Sequence, residues 1–98
     1  MIVNSIYKSS YLFNEDIFES FKDTFKDFNP RHINDSHAIR YGYKSKIMYG
    51  NILNGYISHF VGQLLPSKQI IILIQNINFK KLFYLNQKIF LTASIMEF

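Results

Sequence analysis

The 98-residue sequence contains no cysteine, which excludes disulfide bonds, thiolate metal ligands and a cysteine nucleophile. It also has no long apolar run. The longest aliphatic stretch, residues 70–74, is far shorter than the roughly 20 residues that a membrane-spanning helix needs. Residues 1–5 carry no basic flank ahead of an apolar block, so no signal peptide is predicted. We therefore expect a soluble, cytoplasmic protein that does not contact a membrane.

Apolar side chains are plentiful, and they predict a folded core. Hydrophobic residues make up 48% of the chain and charged residues only 18%, a balance that disordered proteins do not show. The aromatic content is carried by ten Phe and seven Tyr, and a chain this short must place several of these rings inside. The length predicts a single domain over residues 1–98.

The two halves of the chain differ in charge. Residues 1–36 hold six acidic and four basic side chains, whereas residues 37–98 hold seven basic side chains and one acidic one. A basic half suits phosphate-bearing ligands, acidic proteins or nucleic acid. No compact Lys/Arg cluster with interleaved aromatic residues is present, so we predict no nucleic-acid partner.

The first half of the chain predicts a strand followed by helices. Residues 5–13 alternate as a strand does. Asn14 is a suitable N-cap for a helix that ends before Pro30, because the residue before a proline avoids the helical region. A short second helix is predicted from residues 34–36 to Gly42, which is a natural C′ residue.

The second half predicts one broad apolar helix and two strands. The helix, over about residues 50–65, has apolar pairs that recur every four residues. Two strands, over residues 69–79 and 87–98, are predicted to pair in antiparallel fashion through a turn near Asn86. Because the last two strands are adjacent in the sequence, this order of elements favours an α+β fold.

The segment Asp27-Phe28-Asn29-Pro30-Arg31-His32 places a carboxylate and an imidazole five positions apart across a proline turn. Such a pair can hold a water molecule between them, one group removing a proton while the other delivers one. The alternative is that Asp27 caps the turn and His32 is an ordinary hydrogen-bonded histidine. Gly50, at the start of the apolar helix, offers a backbone N–H to a ligand oxygen, or is simply a helix-start residue.

Five segments of the chain form a recognisable series. They are Asp27 to His32, Ala38, Ile47-Met48-Tyr49-Gly50, Gly62-Gln63-Leu64-Leu65-Pro66 and Gln75-Asn76-Ile77-Asn78-Phe79-Lys80. Together they resemble the MaoC-like dehydratases, in particular the R-specific 2-enoyl-CoA hydratases. The resemblance covers roughly residues 7–98, and the segments occur in the family's order with nearly the family's spacing.

The resemblance implies a hot-dog fold, in which an antiparallel sheet wraps around one central helix, here residues 50–65. It implies reversible hydration of a trans-2-enoyl thioester of coenzyme A or acyl carrier protein to the R-3-hydroxyacyl thioester, with no metal or redox cofactor. Asp27 and His32 match the family's catalytic pair, and Gly50 matches its backbone donor to the thioester carbonyl. Asn29, Tyr49 and Ser58 are expected to contact substrate. A homodimer is also implied.

The sequence departs from the family pattern in three respects. Where many members carry Pro and then Gly-Asp in the turn after the second strand, this chain has Leu82 and Asn86-Gln87. Many members have His-Gly at the start of the central helix, where this chain has Tyr49-Gly50. The family pattern also continues with further strands, so we expect a C-terminally truncated relative whose sheet lacks its last strands and has an open edge. A weakened sheet motivates an alternative function, that of a non-catalytic acyl-thioester-binding or assembly subunit.

Overall fold

The structure is a computed structural model that describes residues 2–97. Strand β1 is followed by four α-helices, a π-helical turn and strand β2. In chain order these are β1 (Ile6–Leu12), α1 (Glu15–Phe25), α2 (Pro30–Ile33), α3 (Asp35–Arg40), α4 (Ile52–His59), the π turn (Phe60–Leu64) and β2 (Lys88–Ser94). None of the described helices combines the length and the hydropathy needed to cross a bilayer.

The two strands pair in antiparallel fashion and form the sheet of the described chain. Tyr7 lies opposite Ala93, and Tyr11 lies opposite Ile89. Burial alternates along both strands, so each has one face toward the interior. The predicted first strand is confirmed, and the last strand is confirmed within residues 88–94.

The predicted strand over residues 69–79, and its pairing with the last strand, are wrong. No residue of this stretch is assigned to a strand, and β2 pairs with β1 instead. The apolar side chains that predicted the strand are open to solvent: Ile71, Leu73 and Ile74 are 79%, 87% and 85% exposed. Without a neighbouring strand in the described chain, β propensity alone does not form a ladder. Asn86 does lie in a turn, with φ of 65°.

Local capping signals account for the helices. The Asn14 side chain accepts a hydrogen bond from the Ile17 N–H at 3.0 Å, which confirms the predicted start of α1. The helix ends at Phe25 rather than just before Pro30, because Lys26 adopts the left-handed conformation there. The proline begins the additional short helix α2, as expected for proline at a first helical position.

The core lies between the start of α4, helix α1 and the sheet, and most of it is aromatic. Its rings stack in pairs: Phe13 on Phe83 with centroids 4.4 Å apart, and Phe18 on Tyr49 with centroids 5.6 Å apart. Ile52 brings the first turn of α4 into the same cluster. This packing gives the apolar helix its central position and fixes the segment that precedes it.

Candidate functional site

The turn that joins α1 to α2 is held by its own polar side chains. Asp27 Oδ1 accepts a hydrogen bond from the Asn29 N–H at 3.1 Å. Asn29 Oδ1 in turn accepts from the Arg31 N–H at 3.0 Å and caps α2. Asp27 therefore does cap the turn, as the structural alternative proposed, with one of its two carboxylate oxygens. Asn29, predicted to contact substrate, uses its side-chain oxygen as a helix cap.

The imidazole of His32 has one nitrogen fixed by the backbone. Its Nδ1 lies 2.7 Å from the carbonyl oxygen of Ile47. A carbonyl oxygen can only accept, so Nδ1 carries the hydrogen and Nε2 of the neutral ring is left as an acceptor. His32 is partly buried. The arrangement gives one defined tautomer, with its basic nitrogen directed away from Ile47.

Tyr49 lies in the core and touches both members of the predicted pair. Its hydroxyl donates to the backbone carbonyl oxygen of Asp27 at 2.6 Å, and its ring centroid lies 4.5 Å from that of His32. Burial raises the pKa of the Tyr49 hydroxyl, and the negative charges of Asp27 and Glu19 raise it further. The ring is only 2% exposed. It is thus a core residue, and its contact with substrate stays a prediction.

Two cavities flank this core. The larger, of about 910 Å³, lies between α1 and α4 and has Asp27 in its wall. The smaller, of about 280 Å³, has His32 and Gly50 in its wall. The structure therefore brings His32 and Gly50 together and places Asp27 beside the other cavity. The larger cavity is lined by Asp16, Ile17, Ser20, Phe21, Thr24, Phe25, Asp27, Asn51, Ile52, Asn54, Gly55 and Tyr56.

Gly50 presents an accessible backbone donor. Its N–H has no hydrogen-bond partner among residues 2–97, whereas its carbonyl oxygen accepts from the Leu53 N–H. A Cβ placed on Gly50 would lie 3.4 Å from the ring of Phe79. The absence of a side chain therefore keeps the space beside this N–H open, where a ligand oxygen could approach.

Some contributors to the site could not be found from the sequence. Ile47 acts through its backbone carbonyl, which leaves no side-chain signal. Arg31 and Lys81 both line the smaller cavity, and only the tertiary structure brings them together.

Ser58 is exposed on α4 and lines neither cavity within the described residues, so its contact with substrate stays a prediction. No group of three or more potential metal ligands occurs in residues 2–97.

Comparisons with known proteins give matches among solved structures alone. No protein-family model and no curated protein matches the sequence. An (R)-hydratase from A. caviae involved in PHA biosynthesis matches with a TM-score of 0.88 and 25% identity, over 99% of this chain and 74% of that one. The R-hydratase PhaJ1 from Pseudomonas aeruginosa, in its unliganded form, matches with a TM-score of 0.88 and 22% identity. That match covers 99% of this chain and 63% of the other.

These matches extend over nearly the whole of this chain, so they concern its entire fold and not a local motif. The resemblance to the R-specific hydratases of the MaoC-like family is thereby confirmed, and the chain has their hot-dog fold.

Proposed function

We propose that this protein catalyses the reversible hydration of trans-2-enoyl thioesters to R-3-hydroxyacyl thioesters. The observation that carries the proposal is the fixed tautomer of His32, which lines the same cavity as Gly50, whose N–H has no hydrogen-bond partner within residues 2–97. A base and an oxyanion donor beside one cavity are what addition of water to a conjugated thioester requires. The structural match to an (R)-hydratase supports this reaction class.

In the proposed reaction, His32 Nε2 accepts a proton from water as the water oxygen bonds to C3 of the substrate. The electron pair of the double bond moves toward the thioester oxygen, and the Gly50 N–H stabilises the charge that develops there. The resulting imidazolium returns a proton to C2, so one water molecule is added overall. The proposal assigns to Asp27 the orientation of the water and the stabilisation of the imidazolium, for which its carboxylate has to reach from beside the larger cavity toward His32.

The two cavities suggest how a thioester is held. Ile17, Phe21 and Ile52 give the larger cavity an apolar wall that suits an acyl chain, and its volume of about 910 Å³ is in the usual range for small-molecule sites. Arg31 and Lys81 place positive charge beside the smaller cavity, which suits the phosphates of coenzyme A or of a carrier-protein arm. We further propose that the active form is a homodimer, which the mass in solution would test.

The second candidate function is a non-catalytic acyl-thioester-binding or assembly subunit. One observation favours it: Asp27 lies beside a different cavity from His32, and its Oδ1 is engaged by the Asn29 N–H. General acid–base catalysis needs both groups within hydrogen-bond reach of one water molecule. A subunit of this kind would bind acyl-CoA without turning it over.

The test is hydration of crotonyl-CoA by the purified chain, followed as loss of enoyl absorbance. Asp27→Asn and His32→Ala should each lower kcat by about a hundredfold or more, the usual scale for such groups. His37→Ala removes an imidazole from α3, outside both cavities, and should leave kcat unchanged. Binding of crotonyl-CoA without hydration would favour the second candidate. Equal activity of all variants would refute the assignment of Asp27 and His32.

A further inference from the structure

We propose that Tyr49 is a positioning residue that holds Asp27 and His32 in their working arrangement through a single side chain. The inference rests on the proposed hydratase function, and it gives Tyr49 a role other than contact with substrate. It concerns a position where this chain departs from the histidine that many members of the resembled family carry.

The hydroxyl of Tyr49 fixes the backbone at Asp27. It donates to the Asp27 carbonyl oxygen at 2.6 Å across 22 positions of sequence. Asp27 lies between α1 and α2, where the only other hydrogen bond found for it within residues 2–97 is the local one to the Asn29 N–H. The Tyr49 hydroxyl is therefore the long-range contact that ties this turn to the core.

The ring of Tyr49 supports His32. The two ring centroids are 4.5 Å apart, with the planes inclined at 33°. The imidazole is thus held at two points, by the Ile47 carbonyl at Nδ1 and by the phenol ring across its plane. With both contacts in place, the direction of Nε2 is determined.

Tyr49 can fulfil this role because it is itself fixed. Its ring stacks on Phe21 with centroids 4.5 Å apart and on Phe18 with centroids 5.6 Å apart. Both phenylalanines belong to α1, so Tyr49 packs against a regular helix. The turn that Tyr49 holds is therefore oriented relative to that helix. Burial raises the pKa of the Tyr49 hydroxyl, which remains a neutral donor throughout the neutral range. Its exposure is only 2%, so the Asp27 carbonyl oxygen, rather than solvent, is the partner of the hydroxyl.

The test is a double-mutant cycle between Tyr49→Phe and Asp27→Asn. Tyr49→Phe keeps the ring contacts and removes only the hydroxyl donor. In the otherwise unchanged protein it should lower kcat for crotonyl-CoA hydration by about five- to tenfold, the scale of one hydrogen bond, with KM changed less than about twofold. In the Asp27→Asn background the same substitution should change kcat by less than about twofold, because the group it positions is already disabled.

A merely structural role predicts a different pattern. Tyr49→Phe would then lower kcat by the same factor in both backgrounds, and that result would overturn the proposal, as would an unchanged kcat in the single variant. Tyr11→Phe is the matched control, because it removes a hydroxyl that is hydrogen-bonded to His59 Nδ1 outside both cavities. Its kcat should equal that of the unmodified chain.

A readout that does not need activity separates this inference from the proposed function. Amide hydrogen exchange at Asn29, whose N–H donates to Asp27 Oδ1, should be about five- to tenfold faster in Tyr49→Phe if the hydroxyl holds the turn. Unchanged exchange would refute the positioning role even in an active enzyme. Faster exchange in a chain that does not hydrate crotonyl-CoA would support the positioning role and refute the hydratase proposal.

Discussion

His32 Nδ1 and the Ile47 carbonyl oxygen are 2.7 Å apart. Together with the hydrogen bond from the Ile47 N–H to the Arg31 carbonyl oxygen at 2.8 Å, this contact joins α2 to the segment that leads into the central helix. The bond at Nδ1 also selects the tautomer of the imidazole. One nitrogen of the ring, Nδ1, therefore anchors the contact with the backbone, and the other, Nε2, is available as a base. Substitutions that keep one nitrogen function and remove the other can separate the two roles.

His32→Asn retains a donor near the position of Nδ1 and removes the basic Nε2. We expect the free energy of unfolding to stay within about 1 kcal/mol of the unmodified chain, because the bond to the Ile47 carbonyl is kept. We expect kcat to fall by about a hundredfold or more, because the base is lost. His32→Gln is the matched variant, because its side-chain amide reaches the position of Nε2 and does not reach the Ile47 carbonyl oxygen. Urea denaturation and crotonyl-CoA hydration measure the two effects, and an active His32→Asn protein would contradict the assignment.

Gly50→Ala should hinder the approach of a substrate oxygen to the Gly50 N–H without a large change in the stability of the fold. The added Cβ meets the Phe79 ring at 3.4 Å, an ordinary contact distance, so the free energy of unfolding should change by less than about 1 kcal/mol. The methyl group narrows the space beside the Gly50 N–H, and kcat/KM should fall by about tenfold or more. Gly62→Ala, where nothing lies within 4 Å of the added carbon, is the control and should keep kcat/KM. Equal kcat/KM for both variants would show that no substrate oxygen approaches Gly50.

Alkaline pH should destabilise the fold through Tyr49. The pKa of its hydroxyl is raised in the folded chain by burial, so above about pH 10 the unfolded chain loses this proton more readily than the folded one. The contribution of the hydroxyl to the free energy of unfolding is fully present below that pH and declines as the pH rises. Tyr49→Phe should therefore lose less stability than the unmodified chain between pH 9 and pH 11, as measured by urea denaturation. Parallel curves of the free energy of unfolding against pH for the two proteins would contradict this expectation.

Lys26→Gly should stabilise the chain. Lys26 ends α1 with φ of 59°, in the left-handed region where a side chain is unfavourable and glycine is not. We expect the free energy of unfolding to rise by about 1 kcal/mol. Asn86→Gly is the comparison, with a smaller expected gain, because asparagine tolerates this conformation better than lysine. A drop in the melting temperature of Lys26→Gly would show that the Lys26 side chain makes a stabilising contact.

The parts of the fold that local signals determine were predictable from the sequence. Asn14 starts α1, and the short helix α3 is followed by Gly42 with φ of 94°, as the sequence predicted. Residues 69–79 carried an equally strong local signal for a strand, yet strand formation depends on a partner elsewhere in the chain. The pairing of β2 with β1 is such a long-range choice, and nothing in either segment alone specifies it.

The candidate residues could be proposed from the sequence, but their geometry could not. The spacing of Asp27 and His32 around Pro30 does place them on one short segment. The direction of the His32 ring, however, is fixed by the Ile47 carbonyl and the Tyr49 ring, which come from a different part of the chain. A sequence motif cannot show that the two groups line different cavities, because the walls are completed by α1, α4 and Phe79.

Residues 69–79 form no helix or strand, and Phe79 at the end of this stretch lines the smaller cavity. Regions with few buried contacts and no regular ladder open at a lower free-energy cost than the whole domain. We therefore expect this wall to open by local unfolding at a lower free-energy cost than the aromatic core. For the proposed hydratase function, such opening would widen the smaller cavity for a bulky thioester.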